Sequence, residues 1–248
     1  MIGILQFTNN AVPATLPKIT ISNGEKTVIF QSMMHIGSEN FYAAVQRDME
    51  LLRGRDFVFF YEGVEPWTEE SIAELSRLTG MEISETMYQL SAQMSWLVLQ
   101  DIERYRSIIP STNVDISTDE IVELARAAAI EYPEPLDAAL ITQITEIYPT
   151  LNDFQKKILQ IISRGGLNLL LRMYTNPALE QNLKSQLPVF EIILDKRNMI
   201  LAEAILASPV PNIYIHYGAL HYAGVLQILE ERDPRWREVA RTDFEVIR

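Results

Sequence analysis

Residues 18–32, KITISNGEKTVIFQS, alternate apolar or β-branched with polar positions on both sides of Asn23-Gly24. A period of two about an Asn-Gly pair predicts a β-hairpin with a type I′ turn, whose two central residues both take positive φ. Residues 39–54 carry apolar positions at helical spacing and predict an amphipathic helix. DFVFFYEG (56–63) and NIYIHYG (212–218) are short, continuous apolar runs, the pattern of strands covered on both faces. WREVARTDFEVI (236–247) alternates as an outer strand does. Between 68 and 207 almost all signals are helical. Thr68, Ser117 and Asn152 are candidate N-caps, and Ser117 with Glu120 forms a capping box. Prolines at 110, 133, 135, 149, 177, 188, 209 and 211 punctuate that region, and the methionine- and aromatic-rich stretch 81–100 reads as core packing.

No internal repeat, low-complexity tract or long linker interrupts this order. The expectation is a single α/β domain over 1–248, its sheet built from the N- and C-terminal segments, with a large helical insertion at about 68–207. Of 248 residues 48% are hydrophobic, enough for a sizeable core. The net charge of −12 argues against nucleic acid or an anionic membrane as partner. The chain has no cysteine, which removes disulfides, thiolate metal sites and a cysteine nucleophile, and fits a cytoplasmic protein. No basic leader precedes an apolar core at the N-terminus, and no apolar run approaches the roughly 18 residues of a membrane span, so a soluble protein is expected.

On that frame the scarce chemistry clusters. The chain has three histidines. His35 follows the strand expected at 26–32, Glu62 ends the strand at 57–61, His216 lies near the end of 212–217, and His221 opens the helix beyond it. In an open α/β sheet, ligands bind outside the carboxyl ends of the strands. In GALH (218–221), Gly218 is expected to supply the backbone freedom of a tight strand-to-helix turn. His221 would then sit in the first helical turn, where the macrodipole disfavours imidazolium and leaves a neutral ring able to bind a metal or accept a proton. Arg197 interrupts the apolar stripe of the helix 189–206 (Phe190, Ile193, Leu194, Ile200, Leu201, Ala204, Ile205). A buried guanidinium must be paired, and Glu62 is the expected partner, with a structural ion pair and an oxyanion-stabilising role both open. Asp115 reads by default as a turn aspartate ahead of the Ser117 cap, with a site carboxylate as the alternative.

Taken together, MMHIGSENFYAAVQRDMELLRGRDFVFFYEG, LDKRNMILAEAIL and IYIHYGALHYAGVLQILEER resemble the TraB/PrgY/GumN family, which includes the TIKI proteases and belongs with the erythromycin-esterase and ChaN-like superfamily. The matching positions are His35, Glu62, Arg197-Asn198 and Gly218-x-x-His221. The first motif departs in having Ser32 where the family has glycine, and His216 lies outside the pattern. The resemblance implies a metal-dependent hydrolase, a peptidase of the TIKI type acting on a peptide or small-molecule substrate. Its catalytic residues would be Glu62, Arg197, His35 and His221. A loosely bound divalent ion (Mn, Co or Zn) would be held by His35, Glu62 and His221, with His216 a further candidate. It leaves open a metal-independent esterase-like hydrolase and a non-catalytic haem- or peptide-binding protein. No H-E-x-x-H or G-x-S-x-G is present, which argues against a zincin or an elbow-type serine hydrolase.

Overall fold

The computed structural model describes residues 14–63, 68–81, 83–132, 138–174 and 188–247. Its strands are β1 (Ala14–Ser22), β2 (Thr27–Met33), β3 (Ile36–Gly37), β4 (Val58–Tyr61), β5 (Val98–Leu99), β6 (Thr112–Asn113), β7 (Asn212–Gly218) and β8 (Arg237–Ile247). Six of them form one mixed sheet in the order β6-β4-β7-β2-β1-β8. Both apolar runs became central strands, β4 and β7, and the alternating C-terminal segment became the edge strand β8. The helical stretch is not purely helical: β6 extends the sheet beyond β4, and β5 pairs with β3 in a separate two-stranded ribbon. These strands are two residues long, too short to leave a periodic trace in the sequence.

The helices are α1 (Glu39–Leu52), α2 (Glu69–Thr79), α3 (Glu85–Ser95), α4 (Ile102–Arg106), α5 (Thr118–Ala127), α6 (Ala138–Ile147), α7 (Asp153–Tyr174), α8 (Val189–Glu191), α9 (Arg197–Ala207) and α10 (Tyr222–Arg232). The expected caps are present. Thr68 exchanges a capping box with Ser71, and Ser117 does so with Glu120. Asn152 accepts from the Gln155 amide while the Gln155 side chain accepts from the Asn152 amide. A π-helical turn, Ile192–Lys196, joins α8 to α9 and shifts the helical register just before Arg197. Among the described residues no helix is long and apolar enough to cross a membrane.

The sheet separates two apolar layers. On one face Met33, Phe59 and Tyr214 pack with Phe41, Tyr42, Val45 and Met49 of α1 and Tyr105 of α4. On the other, Phe30, Ile213, Ile215 and Tyr217 pack with Leu201 and Ile205 of α9 and Val225 and Leu229 of α10. Each such side chain contributes about 1.5–3 kcal/mol when fully withdrawn from water. The insertion has its own small cluster, where Leu78 of α2, Val122 and Ala125 of α5 and Val189 of α8 meet.

The hairpin forms, but its turn is not type I′. Ser22 pairs with Thr27, leaving Asn23–Lys26 as a four-residue loop. Gly24 has φ +91°, whereas Asn23 is not among the positive-φ residues. The Asn23 side-chain oxygen instead accepts from the amides of Glu25 and Lys26, and its Nδ2 donates to Asp233. The asparagine builds an Asx-type turn, a use that the Asn-Gly pattern does not distinguish from type I′. Gly24→Ala should therefore lower stability by about 1 kcal/mol, because an L-residue is strained at that φ. Chemical denaturation will show this as a lower midpoint with an unchanged slope.

Candidate functional site

The strands β2, β4, β6 and β7 run parallel, so their carboxyl ends lie along one edge of the sheet. That edge receives His35 two residues past β2, Glu62 one past β4, Asp115 two past β6, and Gly218 with His221 at the end of β7. Adjacent register pairs Met33 with Gly218 and Tyr61 with His216. Topology thus brings together residues separated by up to 186 positions (221 − 35 = 186).

Glu62 is the centre. Its Oε1 accepts from Arg197 Nη2 and lies 3.9 Å from His221 Nε2, while Oε2 accepts from the Gly218 amide at 2.5 Å. Its side chain is 18% exposed. Burial by itself would raise its pKa. The Arg197 guanidinium overrides that, with smaller contributions from His221 and His35, and holds the carboxyl down at about 2.

Arg197 is buried and shared. Its Nε and Nη2 donate to the two oxygens of Asp115, each at 2.7 Å, and Nη2 also reaches Glu62. The guanidinium lies over the Tyr217 ring, 5.5 Å from its centroid. The Asp115 side chain is wholly buried, and that burial pushes its pKa up even though Arg197 opposes the shift. Asp115 is therefore a member of this cluster and not a plain turn residue. Its signal was hidden because Thr112–Asn113 carry no visible strand pattern.

His221 is buried and fixed from two sides. Its Nδ1 lies 2.7 Å from Asn198 Oδ1, and its ring meets Tyr217 edge-on at 4.9 Å. With a carbonyl oxygen as partner, Nδ1 carries the proton and Nε2 keeps its lone pair toward Glu62. The nearby glycines make room for this arrangement. Gly218 has ordinary φ −53° and ψ 138°, so it is not needed for backbone freedom. A Cβ there would lie 3.0 Å from Glu62 Oε2, and one on Gly224 would lie 2.1 Å from Asn198 Nδ2.

The remaining histidines differ. His35 is exposed at the mouth of the edge, 5.4 Å from the Tyr88 ring, and its carbonyl accepts from the Gln100 amide. His216 points to the opposite face of the sheet from Tyr217, between Tyr61 and Tyr105, and takes no place beside His221. Burial lowers its pKa to about 4. Ser32, at the position of the first-motif glycine, is fully buried on β2.

These positions bear on the expected metal set. Among the described residues no group of three His, Asp or Glu side chains is gathered to hold an ion. Both Glu62 oxygens already accept hydrogen bonds from protein donors, and His35 is exposed whereas His221 is buried. As arranged, His35, Glu62 and His221 do not form a three-ligand site. Compared with protein-family models, with curated proteins and with solved structures, the chain matches none of them.

Two outcomes follow from the packing and the charges. Gly224→Ala should destabilise the fold by about 1–3 kcal/mol through overpacking against Asn198. Combining it with Asn198→Ala should cost less than the sum of the single changes, which a double-mutant cycle in denaturant will measure. Glu62 binds its proton more weakly when folded than at its ordinary value of 4.5, so its contribution to stability is complete above pH 4.5 and is lost as pH falls toward about 2. Asp115, shifted up, acts in the opposite sense. Acid titration of unfolding should show a shallower loss over that window in Glu62→Gln than in the parent.

Proposed function

We propose that this chain is a hydrolase of peptide or ester bonds, working at the sheet edge with His221 as general base and Glu62 as the carboxylate that supports it. The observation that carries this reading is the two-sided fixing of His221. Asn198 holds Nδ1, and Nε2 faces an ionised carboxylate 3.9 Å away. A neutral imidazole in that tautomer can take a proton from a water at Nε2, and the imidazolium that results is stabilised by the adjacent anion. Arg197 keeps Glu62 ionised, while Asp115 holds Arg197 in plane. His35 is exposed and in this reading meets the substrate. A role for Arg197 as substrate or oxyanion clamp is less supported, because Nε and Nη2 are already committed to carboxylates.

A metal-dependent form of the same reading draws on one feature. A histidine whose second nitrogen is held by an oxygen acceptor has the orientation typical of a metal ligand. His221 and Glu62 would be the donors, and a bound divalent ion would supply Lewis acidity and a more acidic water. Among the described residues no third donor is gathered beside them. The TIKI-like assignment and a cytoplasmic location belong to the same proposal, resting on the motif resemblance and on the absence of cysteine.

The test is hydrolysis of a panel of peptide and ester substrates with and without chelator, followed by addition of manganese, cobalt or zinc. His221→Ala and Glu62→Gln should each lower kcat/KM by about 100-fold or more, the range expected for losing a general base or its support. Activity that survives chelation fits the His221–Glu62 pair acting alone. Activity abolished by chelator and restored by metal in the parent, but not in His221→Ala, selects the metal-dependent form. Full turnover in both variants would overturn the site.

A further inference from the structure

A cleft of about 330 Å³ opens at the other end of the sheet, before the start of β4, with Arg53, Arg55, Phe57, Phe59, Ile109 and Pro110 in its lining. It lies where the sheet is incomplete. β6 covers only Phe60 and Tyr61 of β4, so Val58 and Phe59 have no strand on their outer side among the described residues. Its apolar lining residues are Phe57 and Pro110, which reach the surface, and Phe59 and Ile109, which are buried.

The rim carries two cations. Arg53 caps the end of α1, Gly54 turns the chain with φ +77°, and Arg55 follows on the far side of that turn. Both side chains are exposed, and neither makes a hydrogen bond or ion pair with another described residue. One cation at a helix C-terminus is explained by the macrodipole; a second, beyond the left-handed turn and on the same cleft, is not. In a chain of net charge −12, two unpaired guanidinium groups over an apolar trough are a local reversal of sign. Asp56, between Arg55 and Phe57, is not among the lining residues.

We infer that this cleft is a binding site for a small organic anion with an apolar body, a carboxylate on an acyl chain or at the end of an apolar peptide. The guanidinium groups engage the carboxylate, for which their planar donor geometry is suited. Phe57 and Pro110 receive the apolar body, backed by the buried Phe59 and Ile109. The site is independent of the hydrolase reading, because none of its residues lies at the Glu62 edge.

Calorimetric titration of the full chain with octanoate tests it, beside octanol, inorganic phosphate, and acetyl-Leu-Phe as free acid and as amide. Octanoate or the peptide acid should bind at least tenfold more tightly than the neutral counterpart and than phosphate, and which of the two binds better identifies the source of the carboxylate. Arg53→Gln/Arg55→Gln should weaken that binding at least tenfold, and raised salt should weaken it in the parent. The double variant changes only exposed side chains and should lower the unfolding midpoint no more than the loss of one cation at a helix C-terminus does. Absence of binding by either acid, equal binding of octanol and octanoate, or unchanged binding in the double variant would each overturn the inference.

Discussion

The buried guanidinium of Arg197 is the constraint on which the sheet edge depends. It joins three segments distant in sequence: Glu62 after β4, Asp115 after β6, and α9 itself. Burying a cation costs several kcal/mol, and two carboxylates in good geometry offset that cost. Removing either carboxylate would leave a charge without full compensation, typically a loss of 3–5 kcal/mol. The cluster therefore ties the insertion to the sheet through charge, where the two apolar layers on the sheet faces tie it through packing.

The local geometry follows from that requirement. The π-turn at Ile192–Lys196 shifts the helical register just ahead of Arg197 and Asn198, both of which are buried. With Asn198 turned inward, α10 must approach closely, and only the missing side chain of Gly224 leaves room. Gly218 likewise gives Glu62 Oε2 a backbone donor and the space to reach it. Two carboxylates around one cation are then driven apart in acidity. Glu62 is held low by Arg197 and the histidines, whereas the wholly buried Asp115 is pushed up. Unequal environments for neighbouring titratable groups are common where proton transfer occurs.

Much was legible in the chain without its fold. The apolar runs at 56–63 and 212–218 had the pattern of covered strands, since their continuity leaves no polar face for water and their length suits a strand. The caps at Thr68 and Ser117 and the Asn23-Gly24 hairpin are local events whose partners lie within a few residues, and the outer strand at 236–247 showed in its own alternation although it pairs with the distant β1. Arg197 in an apolar stripe announced a buried ion pair, because helical periodicity places it inward whatever it meets there.

Sequence periodicity placed His35, Glu62 and His221 at strand ends; only the parallel order β6-β4-β7-β2 put those ends on one edge. Strand parity decided that His216 faces the other layer, beside Tyr105. Asp115 became a partner of Arg197 through a two-residue edge strand too short to mark itself in the pattern. Spacing could not reveal the role of Gly218 or Gly224, since each glycine answers to a side chain brought near from another segment. Periodicity fixes which side of an element is buried, because that depends on neighbours along the chain. Which groups then meet depends on the pairing of distant strands, and that is settled only when the sheet assembles.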